Sequence, residues 1–194
     1  MNTALILCIT FNLAQNHAFV NLLLQLPLSC DRILAIGDDK VKILFVCHGN
    51  ICRSPMAEFV FKKMASERGL SEKLEVASRA TSAEELGNPV YPPARRELLR
   101  HGIDPGGKYA IQLTRADYDK YDLLVGMDSA NIRNMLRLFG SDPMGKIHKL
   151  MDYTSRPGDV DDPWYSGNFE ITYRDVCDGC EALLDLLSAK LSLR

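Results

Sequence analysis

The run Cys47-His48-Gly49-Asn50-Ile51-Cys52-Arg53-Ser54 gathers a thiol, a guanidinium and a hydroxyl around a glycine within a few residues. Cys47 is a candidate nucleophile, because a cation and a helix N-terminus both favour thiolate over thiol. Arg53 offers a planar fork able to hold two phosphoryl oxygens at once, which a lysine does less well. Gly49 admits backbone shapes closed to other residues, so that successive N–H groups can converge on one anion. Ser54 can cap a helix and can also stabilise Cys47 as thiolate or leaving group. The chemistry this suggests is nucleophilic attack on a phosphate ester. Such chemistry also needs a proton for the departing oxygen. Asp161-Asp162-Pro163-Trp164-Tyr165 supplies carboxyl groups far downstream, although on residue types alone it reads as a solvated turn.

These groups depend on the elements around them. Val41 to Val46 is a short apolar run of the kind buried on both faces of a parallel sheet. Ser54-Pro55 reads as a helix start, Ser at the N-cap and Pro first in the helix, with Met56, Phe59, Val60 and Met64 at helical spacing up to Gly69. The loop therefore joins a strand to a helix N-terminus, where free N–H groups and a partial positive charge favour phosphate. Leu74 to Ser78, Leu123 to Met127 and Lys146 to Leu150 read as further strands. Ala94 to His101, Ser129 to Phe139 and a last helix striped by Val176, Cys180, Leu183 and Leu187 alternate with them. The expected architecture is α/β: a single domain with an open four-stranded parallel sheet, helices on both faces, and the phosphate-binding loop between first strand and first helix.

Composition excludes several classes. With 194 residues, 46% apolar, 25% charged and a formal net charge of -2, the chain suits one ordinary globular domain without a global footprint for nucleic acid or acidic membrane. Its six cysteines, Cys8, Cys30, Cys47, Cys52, Cys177 and Cys180, leave a long gap after Cys52, unlike a disulfide scaffold. A reducing, cytoplasmic setting is expected. Cys177-x-x-Cys180 falls inside the last helix with no second pair to complete a zinc set, so it reads as core packing, and no metal or cofactor is expected. Residues 1–40 form an apolar extension: Met1 to Cys30 carry no Asp, Glu, Lys or Arg. A signal peptide would want basic residues first, and Asn12, Gln15, Asn16, His17 and Asn21 interrupt a spanning helix. Leu28-Ser29-Cys30 has a trace of a lipoprotein cleavage site, against which Pro27 counts. The extension is read as an over-extended start, with the domain, 41–194, beginning at or near Val41.

At the loop, the chain resembles the low-molecular-weight protein tyrosine phosphatases, whose loop reads Cys-x-Gly-Asn-x-Cys-Arg-Ser. Every fixed letter matches. The resemblance continues through Pro55-Met56-Ala57-Glu58, Arg100-His101-Gly102-Ile103, Met127-Asp128 and Asp162-Pro163-Trp164-Tyr165, and runs from Val41 to about Leu191. Residues 1–40 have no counterpart in it. The resemblance implies a phosphotyrosine-protein substrate and a cysteinyl-phosphate intermediate on Cys47. The phosphoryl group would be held by Arg53 and the backbone from His48 to Cys52. The general acid would be the Asp before Pro, Asp162, kept protonated more readily beside a bound anion. It implies that Asn50 holds a strained loop and that His101 joins the hydrogen-bond network behind it; unaided, His101 reads as a helix C-terminal residue well placed for the dipole. Trp164 and Tyr165 either wall the pocket and stack on an aromatic leaving group or simply pin their loop. Cys52 either forms a disulfide with Cys47 against over-oxidation or fills space.

The family often has Ser-Ala-Gly-Thr where this chain has Ser78-Arg79-Ala80-Thr81, so Arg79 either alters the pocket rim or folds outward. Protein-arginine phosphatases, arsenate reductases of the same fold and a non-catalytic phosphate-binding or redox-sensing module are the rival readings. The first tend to carry Thr where Ile51 stands, and the second need downstream cysteines absent from the gap. The third is disfavoured by the joint presence of Cys47, Arg53 and Asp162.

Overall fold

The computed structural model describes residues 40–192; the expected extension, with Cys8 and Cys30, lies almost wholly outside them. Strand β1 (Val41–Cys47) is buried at every position but Lys42, as a strand covered on both faces must be. It lies between β2 (Leu74–Ala80) and β3 (Leu123–Gly126), and β4 (Ile147–Lys149) completes the sheet in the order β2-β1-β3-β4, every pair parallel. Parallel neighbours require crossovers, and helices supply them.

The alternation of β1 side chains divides the core. Ile43 and Phe45 pack with α1 (Arg53–Glu67), α2 (Pro92–Arg100) and the long C-terminal α6 (Phe169–Leu191) through residues such as Phe61, Leu98 and Leu183. Leu44 and Val46 point the other way. They meet Tyr121 and Met135, with α3 (Arg115–Lys120) and α4 (Ser129–Phe139) over that face. A four-residue helix α5 (Pro163–Ser166) precedes α6. The expected class, strand count and two-sided covering are all present. No helix among the described residues is long and apolar enough to cross a membrane.

Boundaries differ where side chains have other work. Helix α1 begins at Arg53 after Cys52, not at Ser54-Pro55, because the Ser54 hydroxyl turns toward Cys47 instead of capping backbone. Helix α2 begins at Pro92 rather than Ala94, since proline fits the first turn of a helix. Helix α3 was not anticipated; its mark is the capping box of Thr114 with Asp117. The Cys177-x-x-Cys180 segment packs as expected: Cys180 is fully buried, and burial pushes its thiol well above the ordinary value. Between the two cysteines, an added Cβ on Gly179 would lie 2.4 Å from Leu150 Cγ, so glycine there sets how closely α6 approaches.

Candidate active site

The loop from Cys47 to Arg53 leaves the carboxyl end of β1 and enters α1 directly. Its carbonyls are tied outward: Thr81 N donates to Cys47 O (2.9 Å), Ser82 N to His48 O (3.0 Å) and Tyr91 N to Ile51 O (2.9 Å). Among the described residues, no acceptor takes the N–H groups of Gly49, Ile51 or Cys52. Those donors, at a helix N-terminus, are available to an anion. The left-handed residue of the loop is Asn50, at φ 56°, and not Gly49. Asparagine tolerates this region better than most side chains. At Gly49 a Cβ would come 3.0 Å from Glu85 Cγ, a tight approach that the glutamate stem would have to relieve.

Asn50 lies behind the loop, and its partners define a directed chain. Its Nδ2 donates to Ser54 Oγ and to Ser78 Oγ, both at 2.8 Å, and its Oδ1 accepts from Ile111 N at 3.1 Å. Ser78 Oγ donates to the buried Glu58 carboxylate at 2.6 Å. Ser54 Oγ already accepts from Asn50, so its own proton is free for Cys47 Sγ, 3.0 Å away. Asn50 N donates to the same sulfur at 3.3 Å. Lys108 closes the rear of the network, 3.4 Å from Glu58 Oε2 and 3.2 Å from Ser78 O; burial lowers its pKa against the pull of Glu58. His101 is not in this network. It pairs with Glu97 (3.2 Å) and stacks on Tyr173, centroids 3.8 Å apart, because its place at the end of α2 turns it toward α6.

Arg53 is only 4% exposed, a buried guanidinium that must be paired. Its Nη1 donates to Asp128 Oδ2 at 2.7 Å and its Nη2 to Asp162 Oδ2 at 2.6 Å. Burial pulls its pKa down, but Cys47, Asp162 and Asp128 more than offset this and hold it above the ordinary value. Each carboxylate is also fixed by the helix it caps: Asp128 Oδ1 accepts from Asn131 N (2.6 Å), and Asp162 Oδ1 from Trp164 N (3.1 Å). Cys52 stands beside them as a free, buried thiol. Burial first, then Cys47 and Asp162, push it up to about 12, so it stays protonated at neutral pH.

These groups border a cavity of about 350 Å³ that also takes in His48, Gly49, Ile51, Trp164 and Tyr165. Every loop and wall residue singled out in the sequence meets there except Asn50 and Ser54, which support it from behind, and His101. Trp164 rests on Tyr91 with centroids 5.8 Å apart, while Tyr165 is 87% exposed. Arg79 turns away, donating to Ser78 O and lying 3.9 Å from Asp117. Asp128, Glu84 and Glu85 line the cavity without having been singled out. Asp128 was open to discovery, as an acidic N-cap at the end of a strand. Nothing local marks the two glutamates; only the folded loop brings them over Gly49.

A family model described as low molecular weight phosphotyrosine protein phosphatase matches residues 42–193. The chain belongs to that family. Its reaction class is phosphoric monoester hydrolysis. Among its relatives, the low molecular weight protein-tyrosine-phosphatase YfkJ of Bacillus subtilis is 39% identical over 146 residues, 74% of this chain and 94% of the relative. The human low molecular weight phosphotyrosine protein phosphatase is 37% identical, covering 74% and 93%. The YfkJ crystal structure superposes with a TM-score of 0.76 at 37% identity, covering 78% of this chain and 96% of that one.

Proposed function

We propose that this chain is a protein tyrosine phosphatase acting through a cysteinyl-phosphate, with residues 41–194 as its catalytic domain. The observation that carries the reading is the convergence of Cys47, the free loop N–H groups, Arg53 and Asp162 on one cavity. In the first step the Cys47 thiolate attacks phosphorus in line and the bond to the leaving oxygen breaks. Arg53 and the loop N–H groups hold the equatorial oxygens. Phosphoryl oxygens take over the guanidinium donor that Asp162 now occupies; the displaced carboxylate, now beside the phosphoryl anion, takes up a proton from solvent and delivers it to the leaving oxygen. In the second step water attacks phosphorus, Asp162 accepts its proton, and the sulfur–phosphorus bond breaks. Ser54 donates a hydrogen bond to the departing thiolate. Asp128 keeps the guanidinium oriented throughout.

Phosphotyrosine is favoured over phosphoarginine by Ile51 in the cavity wall and by the aromatic pair Trp164 and Tyr165. Free thiols at Cys47 and Cys52 suit a reducing, cytoplasmic setting. Comparing turnover of phosphotyrosine and phosphoarginine peptides, with arsenate reduction alongside, tests the assignment. Hydrolysis confined to the phosphotyrosine peptide is expected; preference for either rival substrate would displace it.

A further inference from the structure

Among the described residues, the cavity is lined by four carboxylates, Glu84, Glu85, Asp128 and Asp162, against a single guanidinium and no lysine. Asp128 and Asp162 share that guanidinium at the floor. Glu84 and Glu85 belong to the loop after β2 and stand at the rim. Glu84 faces His48 at 3.0 Å with both side chains exposed. Glu85 is built into the site: its stem lies against Gly49, where any side chain would crowd it. Its carboxylate is further steadied by Asn88 Nδ2 at 2.7 Å. Its charge reaches the floor as well, adding to the upward push on the Cys52 thiol.

A negative rim is an unexpected surround for a site that must admit a phosphoryl dianion. The two charges repel each other, and only a substrate bringing its own positive charge offsets the penalty. Resting on the reading of this cavity as a phosphotyrosine site, we propose that Glu84 and Glu85 select phosphotyrosine peptides carrying lysine or arginine beside the phosphorylated ring. The phosphoryl group descends to Arg53 while the flanking cation meets the rim carboxylates. Acidic flanking residues, the opposite choice, meet like charge there.

The test compares kcat/KM for a pair of phosphotyrosine peptides identical except for lysine or glutamate on both sides of the phosphotyrosine. The wild-type full chain is expected to favour the lysine-flanked peptide by about fivefold at low ionic strength, the scale of a few exposed charge pairs. The ratio should shrink toward unity in about 1 M salt, where the screening length is roughly 3 Å. Glu84→Gln with Glu85→Gln should bring it below about twofold, and Glu84→Lys with Glu85→Lys should invert it. Because each figure is a ratio within one protein, a general loss of activity does not imitate the effect. A wild-type ratio of one or less, or one that survives the double Gln variant, overturns the proposal. Equal turnover of both peptides removes this inference alone, whereas hydrolysis of neither removes the phosphotyrosine reading with it.

Discussion

Ser54 shows how a single hydroxyl is committed by its neighbours. Its oxygen accepts from Asn50 Nδ2, which leaves its proton for the Cys47 thiolate 3.0 Å away rather than for the backbone. Ser54→Ala should therefore slow breakdown of the cysteinyl-phosphate. Because hydrogen bonds to charged groups are worth roughly 1.5–3 kcal/mol, kcat should fall about tenfold to hundredfold and KM with it, leaving kcat/KM nearly unchanged. Steady-state kinetics on an aryl phosphate check this; a rise in KM alone would assign Ser54 to binding. Cys52 gives a second prediction with a definite sign. Its folded thiol ionises near 12 against an ordinary 9.0, chiefly through burial, so the unfolded chain loses this proton first as pH rises. Its effect on stability is absent below about 9 and grows unfavourable from there toward 12. Cys52→Ala should flatten the alkaline fall in denaturant midpoint over that window; an unchanged slope would mean the thiol is not held protonated. The meeting of Cys47, Arg53 and Ser54 around one loop was legible in sequence because their spacing is local. The approach of Gly49 to a glutamate thirty-six positions on is a contact no local pattern records.

At the scale of elements, the alternation of strands and helices carried most of the architecture. Continuous apolar runs marked β1 and β3 because both faces of those strands are covered. Helix α3 escaped because six residues give no periodicity to read, although its capping box was visible. His101 was misplaced for a different reason: a histidine at a helix end can face either neighbour, and packing against Tyr173 decides it. The α6 contact with Leu150 yields a prediction. Gly179→Ala must place a methyl group 2.4 Å from Leu150 Cγ. Overpacking of this kind costs about 1–3 kcal/mol, of which alanine's helix propensity returns about 1. A net loss should appear in thermal unfolding as a Tm lower by a few degrees. A raised Tm would show that α6 withdraws without cost.

Over the whole molecule, the parallel sheet places the ends of β1 and β3, and the segment leading into α5, around one point. Cys47, Asp128 and Asp162 are distant in sequence yet share Arg53 or its loop. Phosphate bound there should stabilise the entire domain, since only the folded chain assembles the site. At a hundredfold excess over Kd the gain is about 2.7 kcal/mol. Inorganic phosphate should raise Tm in the wild type and do so far less in Arg53→Lys, whose ammonium lacks the fork; an equal rise in both would place the anion elsewhere. The central claim is that Cys47 carries the phosphoryl group through the reaction. Rapid acid quench during turnover of a phosphotyrosine peptide, followed by peptide mapping, reads this directly. A phosphoryl group on Cys47, and none with Cys47→Ser, is the predicted result; sustained hydrolysis by Cys47→Ser, or a phosphoryl group on another residue, would contradict it.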